Sequence, residues 1–107
     1  MTPFEITVEE FKKLQDDTTA EYQLIDVREP NEFATANIGG TLIPMRTLPQ
    51  HFNDLRDDVP LVIMCHIGGR STMAAEFLRR NGFENAQSLA GGIEAWSQRI
   101  DPKVPKY

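Results

Sequence analysis

The longest run of apolar residues lies in the middle of the chain, at Leu61–Met64, and the single cysteine, Cys65, follows it directly. Four apolar residues in a row predict a strand that is buried on both faces, as the central strand of a parallel sheet is. Two adjacent glycines, Gly68 and Gly69, then predict a tight turn. After this turn, apolar residues at helical spacing predict a helix over residues 71–81.

The rest of the chain alternates between strand and helix patterns. Thr7 and Glu10 have the spacing of a capping box, which predicts that a helix begins after Thr7. Pro30 predicts the first turn of a short helix, and Pro49 predicts the start of another helical turn. The remaining elements are strands over residues 4–6, 22–27, 41–43 and 86–89 and a last helix over residues 93–99. Strands that alternate with helices predict an α/β fold, with a parallel sheet covered on both faces.

Length and composition are ordinary for one soluble globular domain. The chain has 107 residues, of which 40% are hydrophobic and 25% charged. We expect a single domain over residues 1–107, with its core over about residues 4–100 and an extended tail over residues 101–107.

Charge and hydropathy narrow the possible partners and the location. The formal net charge of −5 argues against nucleic acid as a partner, because phosphate binding needs a basic surface. It also gives no reason to expect binding to an anionic membrane. Residues 1–13 lack the basic and apolar regions of a secretory signal, and the longest apolar run is far too short to span a bilayer. We therefore expect a cytoplasmic protein.

Cys65 is the main candidate for chemistry. A lone cysteine cannot form an internal disulfide, and with two histidines it does not make a zinc site. A strand, a glycine-rich turn and a helix place backbone N–H groups and a helix N-terminus around one point, which favours an anion. A thiol placed there beside Arg70 ionises easily, and the thiolate is the nucleophile. The alternative is that Cys65 is only the last residue of a buried strand. The two glycines and Arg70 favour chemistry.

Three segments of the chain resemble those of the rhodanese family of sulfurtransferases. Residues 65–70, which we call the Cys65 loop, have the pattern Cys-x-x-Gly-x-Arg and look like the family's active-site loop. Residues 26–33 contain Asp-Val-Arg and then Glu-Phe, similar to the family's segment after a central strand. Residues 89–96 match its Leu-x-Gly-Gly-Ile-x-x-Trp stretch. One departure is residues 37–41, Asn-Ile-Gly-Gly-Thr, where the family usually has His-Ile-x-Gly-Ala. The resemblance implies a single-domain rhodanese with an open parallel five-stranded sheet and helices on both faces.

The resemblance also implies a ping-pong sulfur transfer. Cys65 would take a sulfane sulfur from a donor such as thiosulfate, hold it as a persulfide and pass it to cyanide, a thiol or another protein. Arg70 would hold the anionic donor, and backbone N–H groups would stabilise the negative sulfur. No metal or organic cofactor is needed, and we expect a monomer. The loop residues implied around Cys65 and Arg70 are His66, Ile67, Gly68, Gly69 and Ser71.

Three charged residues at or after the end of the second predicted strand are expected to support the Cys65 loop. Asp26 either accepts hydrogen bonds from N–H groups of the loop or caps the next turn, and the sequence favours neither. Arg28 and Glu32 are four residues apart and could pair on one short helix, where an exposed pair is worth about 0.3–0.5 kcal/mol. A scaffold role is favoured for Arg28. The ring of His66 either faces an entering substrate or is incidental to the loop.

Two other functions stay open at this stage. A phosphatase or arsenate reductase of related fold also uses a loop cysteine and a following arginine, but the resemblance implies a phosphatase loop one residue longer than residues 65–70. The second is a non-catalytic persulfide carrier or binding module. Inactive members of the family typically lack the cysteine, whereas this chain keeps Cys65, so a carrier role is compatible with the sequence.

Overall fold

The computed structural model describes residues 2–107. Five strands alternate with four α-helices and one 3-10 helix. In chain order the elements are β1 (Glu5–Ile6), α1 (Val8–Asp16), β2 (Gln23–Asp26), α2 (Pro30–Thr35), β3 (Thr41–Leu42), the 3-10 helix (Met45–Asp54), β4 (Leu61–Met64), α3 (Gly69–Arg80), β5 (Ala86–Leu89) and α4 (Gly92–Arg99). None of the helices within residues 2–107 has both the length and the apolar character that crossing a membrane requires.

The strands form one five-stranded sheet in the order β1-β5-β4-β2-β3, and every pairing is parallel. The predicted α/β fold with a five-stranded parallel sheet is therefore confirmed. β4 is the central strand, because it pairs with β2 on one side and β5 on the other, with Ile63 opposite both Ile25 and Ser88. All four of its residues are buried, as the unbroken apolar run predicts.

Alternate residues of β4 enter two separate cores, one on each face of the sheet. Leu61, Ile63 and then Cys65 belong to the core that α3 and the 3-10 helix cover, whereas Val62 and Met64 belong to the core that α1 and α4 cover. Each fully buried Leu or Ile side chain contributes about 1.5–3 kcal/mol relative to an exposed one. The same alternation places the side chain of Cys65 on the α3 face of the sheet.

Two helix starts differ from the sequence-based prediction. α3 begins at Gly69 rather than at residue 71, because Gly68 has a φ of +121° and turns the chain directly into the helix. The 3-10 helix begins at Met45, where Thr47 donates its N–H to the carbonyl of Pro44, and it contains Pro49 instead of starting there. Proline has no N–H to donate, so this segment winds in short 3-10 turns rather than as an α-helix.

The start of α4 holds the Cys65 loop in place. The N–H groups of Ile93 and Glu94 donate to the carbonyls of Cys65 and His66, both at 3.0 Å. Gly92, with a φ of +58°, makes this approach possible, since a Cβ there would lie 2.5 Å from both carbonyl oxygens. The Gly-Gly pair of the Leu-x-Gly-Gly stretch therefore has a packing role at the loop.

We expect Gly92→Ala to lower the free energy of unfolding by about 2–4 kcal/mol. Alanine is strained at a positive φ, and its Cβ would in addition clash with the carbonyls of the Cys65 loop. The measurement is urea unfolding followed by circular dichroism. Gly39→Ala is the matched control, since Gly39 has a φ of +89° but nothing within 4 Å of an added Cβ. The control should lose only about 1–2 kcal/mol. Equal losses for the two variants would show that the contact with the loop is unimportant.

Candidate active site

The sulfur of Cys65 lies inside the turn that follows β4. The residue is 1% exposed. The N–H groups of Gly68 and Ser71 both donate to its Sγ atom, at 3.1 and 3.3 Å, and the Ser71 hydroxyl oxygen lies 3.5 Å from it. The chain thus wraps around one sulfur atom with two backbone donors and one hydroxyl group.

The N-terminus of α3 adds a favourable field at the same point. Gly69, Arg70 and Ser71 are the first three residues of this 12-residue helix, and their N–H groups have no acceptor in a preceding helical turn. One of them, from Ser71, already points at the sulfur. Because a helix N-terminus carries a partial positive charge, this position suits an anionic group.

Arg70 is held at the edge of this turn by Glu32. Its two Nη atoms donate to the two carboxylate oxygens at 2.6 and 2.9 Å, with the side chains 35% and 16% exposed. The hydrogen bonds from Arg70 lower the pKa of Glu32 from 4.5 to about 2. The same hydrogen bonds raise the pKa of Arg70, and the Coulombic interaction with Cys65 raises it further. The fixed cation is therefore within electrostatic reach of the sulfur.

The structure does not show the ion pair between Arg28 and Glu32 that their spacing allows; Nη1 of Arg28 donates instead to the backbone carbonyl of Glu32, at 3.4 Å. Arg28 is fully buried, and its Nε and Nη2 atoms donate to the Asp26 carboxylate at 2.9 and 2.7 Å. Burial alone would lower the pKa of Arg28, but the hydrogen bonds to Asp26 and Tyr107 outweigh it and the pKa is raised. Glu32 turns the other way, toward Arg70. The cause is position, since Arg28 precedes α2 and points into the protein whereas Glu32 lies in its first turn.

Asp26 caps the turn after β2. Its Oδ1 atom accepts a hydrogen bond from the backbone N–H of Arg28 at 3.1 Å, in addition to those from the guanidinium. Of the two interpretations of Asp26, the structure shows the cap. Arg28 also donates to the carbonyl of Ala36 at 2.6 Å, so the buried pair ties the end of β2 to the end of α2. Removing one partner of such a pair typically costs about 3–5 kcal/mol.

Tyr107 is a residue of the site that sequence reasoning missed. Its ring stacks on that of His66, with 4.1 Å between centroids and 12° between planes. Its hydroxyl donates to Oε2 of Glu32 and accepts from Nη1 of Arg28, both at 2.8 Å. Burial raises the pKa of Tyr107. No local pattern signals this contact, because 75 residues separate Tyr107 from Glu32 along the chain.

The other loop residues take distinct positions. The His66 ring lies beneath Tyr107, and its Nε2 atom, 3.7 Å from Oε2 of Glu94, is buried with no hydrogen-bond partner among the described residues. Ile67 is 67% exposed and forms the outer surface of the loop. Gly69 is the first residue of α3 and has open space where a side chain would be.

Comparison with known proteins assigns the family. The rhodanese-like domain model matches residues 7–99. The chain belongs to the rhodanese-like family. An uncharacterized protein of Bacillus subtilis, YqhL, is 44% identical over 76% of this chain, and the maize adenylyltransferase and sulfurtransferase MOCS3-2 is 36% identical over 95% of it. The chain spans 65% and 23% of the lengths of these two relatives. A human single-domain sulfurtransferase, 25% identical, superposes with a TM-score of 0.77 over 91% of this chain and 97% of its own.

Glu32→Gln tests the ion pair at the edge of the site. Because the pKa of Glu32 is lowered from 4.5 to about 2, its carboxylate stabilises the fold above pH 4.5, and this contribution is lost as the pH falls toward 2. Solvent screens the partly exposed pair, so we expect Glu32→Gln to lower the free energy of unfolding by about 1–2 kcal/mol at pH 7.

The measurement is urea unfolding of both proteins between about pH 2 and pH 7. The difference between wild type and Glu32→Gln should be constant above about pH 5 and close to zero near pH 2. Glu21→Gln is the control, because Glu21 also pairs with an arginine, Arg56, but its side chain is 70% exposed. A difference for Glu32→Gln that does not change with pH would show that the ion pair does not stabilise the fold.

Proposed function

We propose that this domain is a sulfurtransferase that carries a sulfane sulfur as a persulfide on Cys65. The observation that carries the proposal is the pair of backbone N–H groups, from Gly68 and Ser71, that point at Sγ from 3.1 and 3.3 Å. Donors fixed in this way stabilise negative charge on sulfur without reorganising during the reaction. Membership of the rhodanese-like family and similarity to sulfurtransferases support the same chemistry.

The first half-reaction loads the enzyme. The Cys65 thiolate attacks the outer sulfur of a donor such as thiosulfate, a new S–S bond forms at Sγ, and sulfite leaves with the electron pair of the donor's S–S bond. The product is a persulfide whose terminal sulfur carries the negative charge. Arg70 lies in electrostatic reach of this atom and offers a planar cation to the anionic donor.

The second half-reaction unloads it. A nucleophilic acceptor attacks the terminal sulfur, the S–S bond breaks, and Cys65 returns as the thiolate. Cyanide would give thiocyanate, and a thiol would give a new persulfide. Because the 107 residues contain one cysteine, the persulfide is not discharged as a disulfide within this chain. The acceptor is therefore a small molecule or a protein thiol that reaches the exposed side of the Cys65 loop.

Treatment with thiosulfate should add the mass of one sulfur atom to the protein, and subsequent cyanide should remove it with formation of thiocyanate. Intact-mass spectrometry measures the first step, and thiocyanate release measures the second. Cys65→Ser should show neither, because the hydroxyl is a far weaker nucleophile than the thiolate. Thiocyanate formation by Cys65→Ser at the wild-type rate would show that Cys65 is not the nucleophile.

Arg70→Ala should lower kcat/KM for thiosulfate by about 100-fold, since it removes a charged contact to the anionic donor. Arg70→Lys keeps the charge but loses the planar fork, and about a 10-fold loss is expected. Arg99→Ala is the control, because Arg99 is an exposed arginine that pairs with Glu9. Full activity of both Arg70 variants would contradict the proposed donor site.

A persulfide carrier is the second candidate function, because Cys65 is 1% exposed and a sulfur held there is shielded from solvent, as a carrier requires. The number of turnovers per protein distinguishes an enzyme from a carrier. An enzyme forms many equivalents of thiocyanate per protein when thiosulfate and cyanide are both in excess. A carrier that is loaded beforehand releases one equivalent to cyanide rapidly and then reloads slowly from thiosulfate, so a burst from preloaded protein followed by negligible steady-state turnover would favour that function.

A further inference from the structure

A second buried hydroxyl lies behind the sulfur of Cys65. Ser88, on β5, is 1% exposed, and its Oγ atom lies 2.8 Å from Oγ of Ser71, which is itself fully buried. β5 fixes this position, because Ser88 pairs with Ile63 of β4 and donates its own N–H to the carbonyl of Phe4 at 2.8 Å. The sheet, not the Cys65 loop, therefore holds Ser88.

The Ser71 hydroxyl has three possible hydrogen-bond partners but only one proton to donate. It lies 3.5 Å from Sγ of Cys65, 3.1 Å from the carbonyl oxygen of Gly68 and 2.8 Å from Oγ of Ser88. A hydroxyl group donates one hydrogen bond and accepts two. With Cys65 as a neutral thiol, the S–H group donates to Ser71 and Ser71 donates to Gly68. Once the thiol ionises, Sγ becomes a better acceptor for the Ser71 proton than the carbonyl of Gly68.

The carbonyl of Gly68 allows the Ser71 proton to turn toward sulfur. This carbonyl also accepts the N–H of Thr72 at 3.0 Å, so it keeps one hydrogen bond when Ser71 turns away. A buried carbonyl with one remaining partner avoids the cost of an unsatisfied polar group. Ser71 is thus free to donate to the thiolate or to the inner sulfur of the persulfide.

The Ser88 hydroxyl is close enough to Ser71 to donate a hydrogen bond to it. The Ser88 proton has two hydroxyl acceptors, Ser71 at 2.8 Å and Thr72 at 3.4 Å, and the shorter distance favours Ser71. A hydroxyl that accepts a hydrogen bond becomes a stronger donor, because chains of hydrogen bonds polarise one another in a low-dielectric interior.

We propose that Ser88 is a positioning residue that donates to Ser71 and directs the Ser71 hydroxyl at the sulfur of Cys65. This inference rests on the proposed role of Cys65 and adds a residue from β5 to the thiolate site. Ser88 acts only through Ser71.

The charged groups around the Cys65 loop must be held constant. They are Arg70 with its partner Glu32, the buried pair of Asp26 and Arg28 beyond β2, and His66 with Glu94 of α4. The hydroxyl pair of Ser71 and Ser88 is uncharged, and its substitution by alanine leaves every one of these groups in place. A change in the reactivity of Cys65 then reports the hydroxyl chain.

The test is the rate of alkylation of Cys65 by iodoacetamide as a function of pH, which needs no sulfur transfer. Ser71→Ala should move the midpoint of this profile upward by about 0.5–1 pH unit, and Ser88→Ala should move it by roughly half as much. The double variant should have the midpoint of Ser71→Ala alone, because Ser88 has nothing to act through once the Ser71 hydroxyl is gone.

Two controls separate positioning from packing. Ser97→Ala removes another buried serine hydroxyl, which donates to the carbonyl of Val104, and should leave the midpoint unchanged. Thr72→Val removes the competing acceptor of the Ser88 proton and should not raise the midpoint. Urea unfolding of each variant confirms that it is folded at the assay pH.

An unchanged midpoint in Ser88→Ala, or equal shifts from Ser88→Ala in the wild-type and Ser71→Ala backgrounds, would overturn the proposal. If the alkylation profiles are as predicted but the protein does not transfer sulfur, the proposed function is wrong, and the inference about Ser71 and Ser88 is still supported. The two claims therefore fail separately.

Discussion

Two hydrogen bonds to one sulfur atom determine the shape of the Cys65 loop. The donors are the N–H groups of Gly68 and Ser71, and both reach Sγ only because Gly68 takes a φ of +121° and α3 begins immediately after it. From the other side, the N-terminus of α4 binds the loop carbonyls over Gly92. The loop is therefore fixed between two helix N-termini, and its dipoles are in place before any substrate arrives.

The charged residues near the loop divide into two layers with different energetics. The pair of Asp26 and Arg28 is buried and holds the end of β2, so its main effect is on stability. The pair of Glu32 and Arg70 is partly exposed, and Arg70 is the last residue of the Cys65 loop. The hydroxyl of Tyr107 joins the two layers, since it binds both Arg28 and Glu32. The ring of Tyr107 also stacks on that of His66 in the loop.

The sequence predicts those elements that depend on a short run of neighbouring residues, such as an apolar strand or a helix cap. The apolar run of β4, the capping box of Thr7 and Glu10 and the span of β5 are all observed, because burial on two faces and helix capping depend on neighbouring residues. The proximity of Cys65 to Ser71 follows from the turn in the same way. Partners brought together by the sheet could not be predicted: Glu32 with Arg70, Tyr107 with His66, and Ser88 with Ser71. Their contacts depend on strand order and helix orientation, which no short segment encodes.

The central claim is that the Cys65 loop is built to hold a negatively charged sulfur. A high-resolution crystal structure of the protein after treatment with thiosulfate tests this most directly. The account predicts a second sulfur atom bonded to Sγ of Cys65, located inside the loop within hydrogen-bond distance of its backbone N–H groups, with the positions of Gly68 and Ser71 unchanged. A sulfur that points away from the loop into solvent, or a loop that rearranges to admit it, would contradict the account.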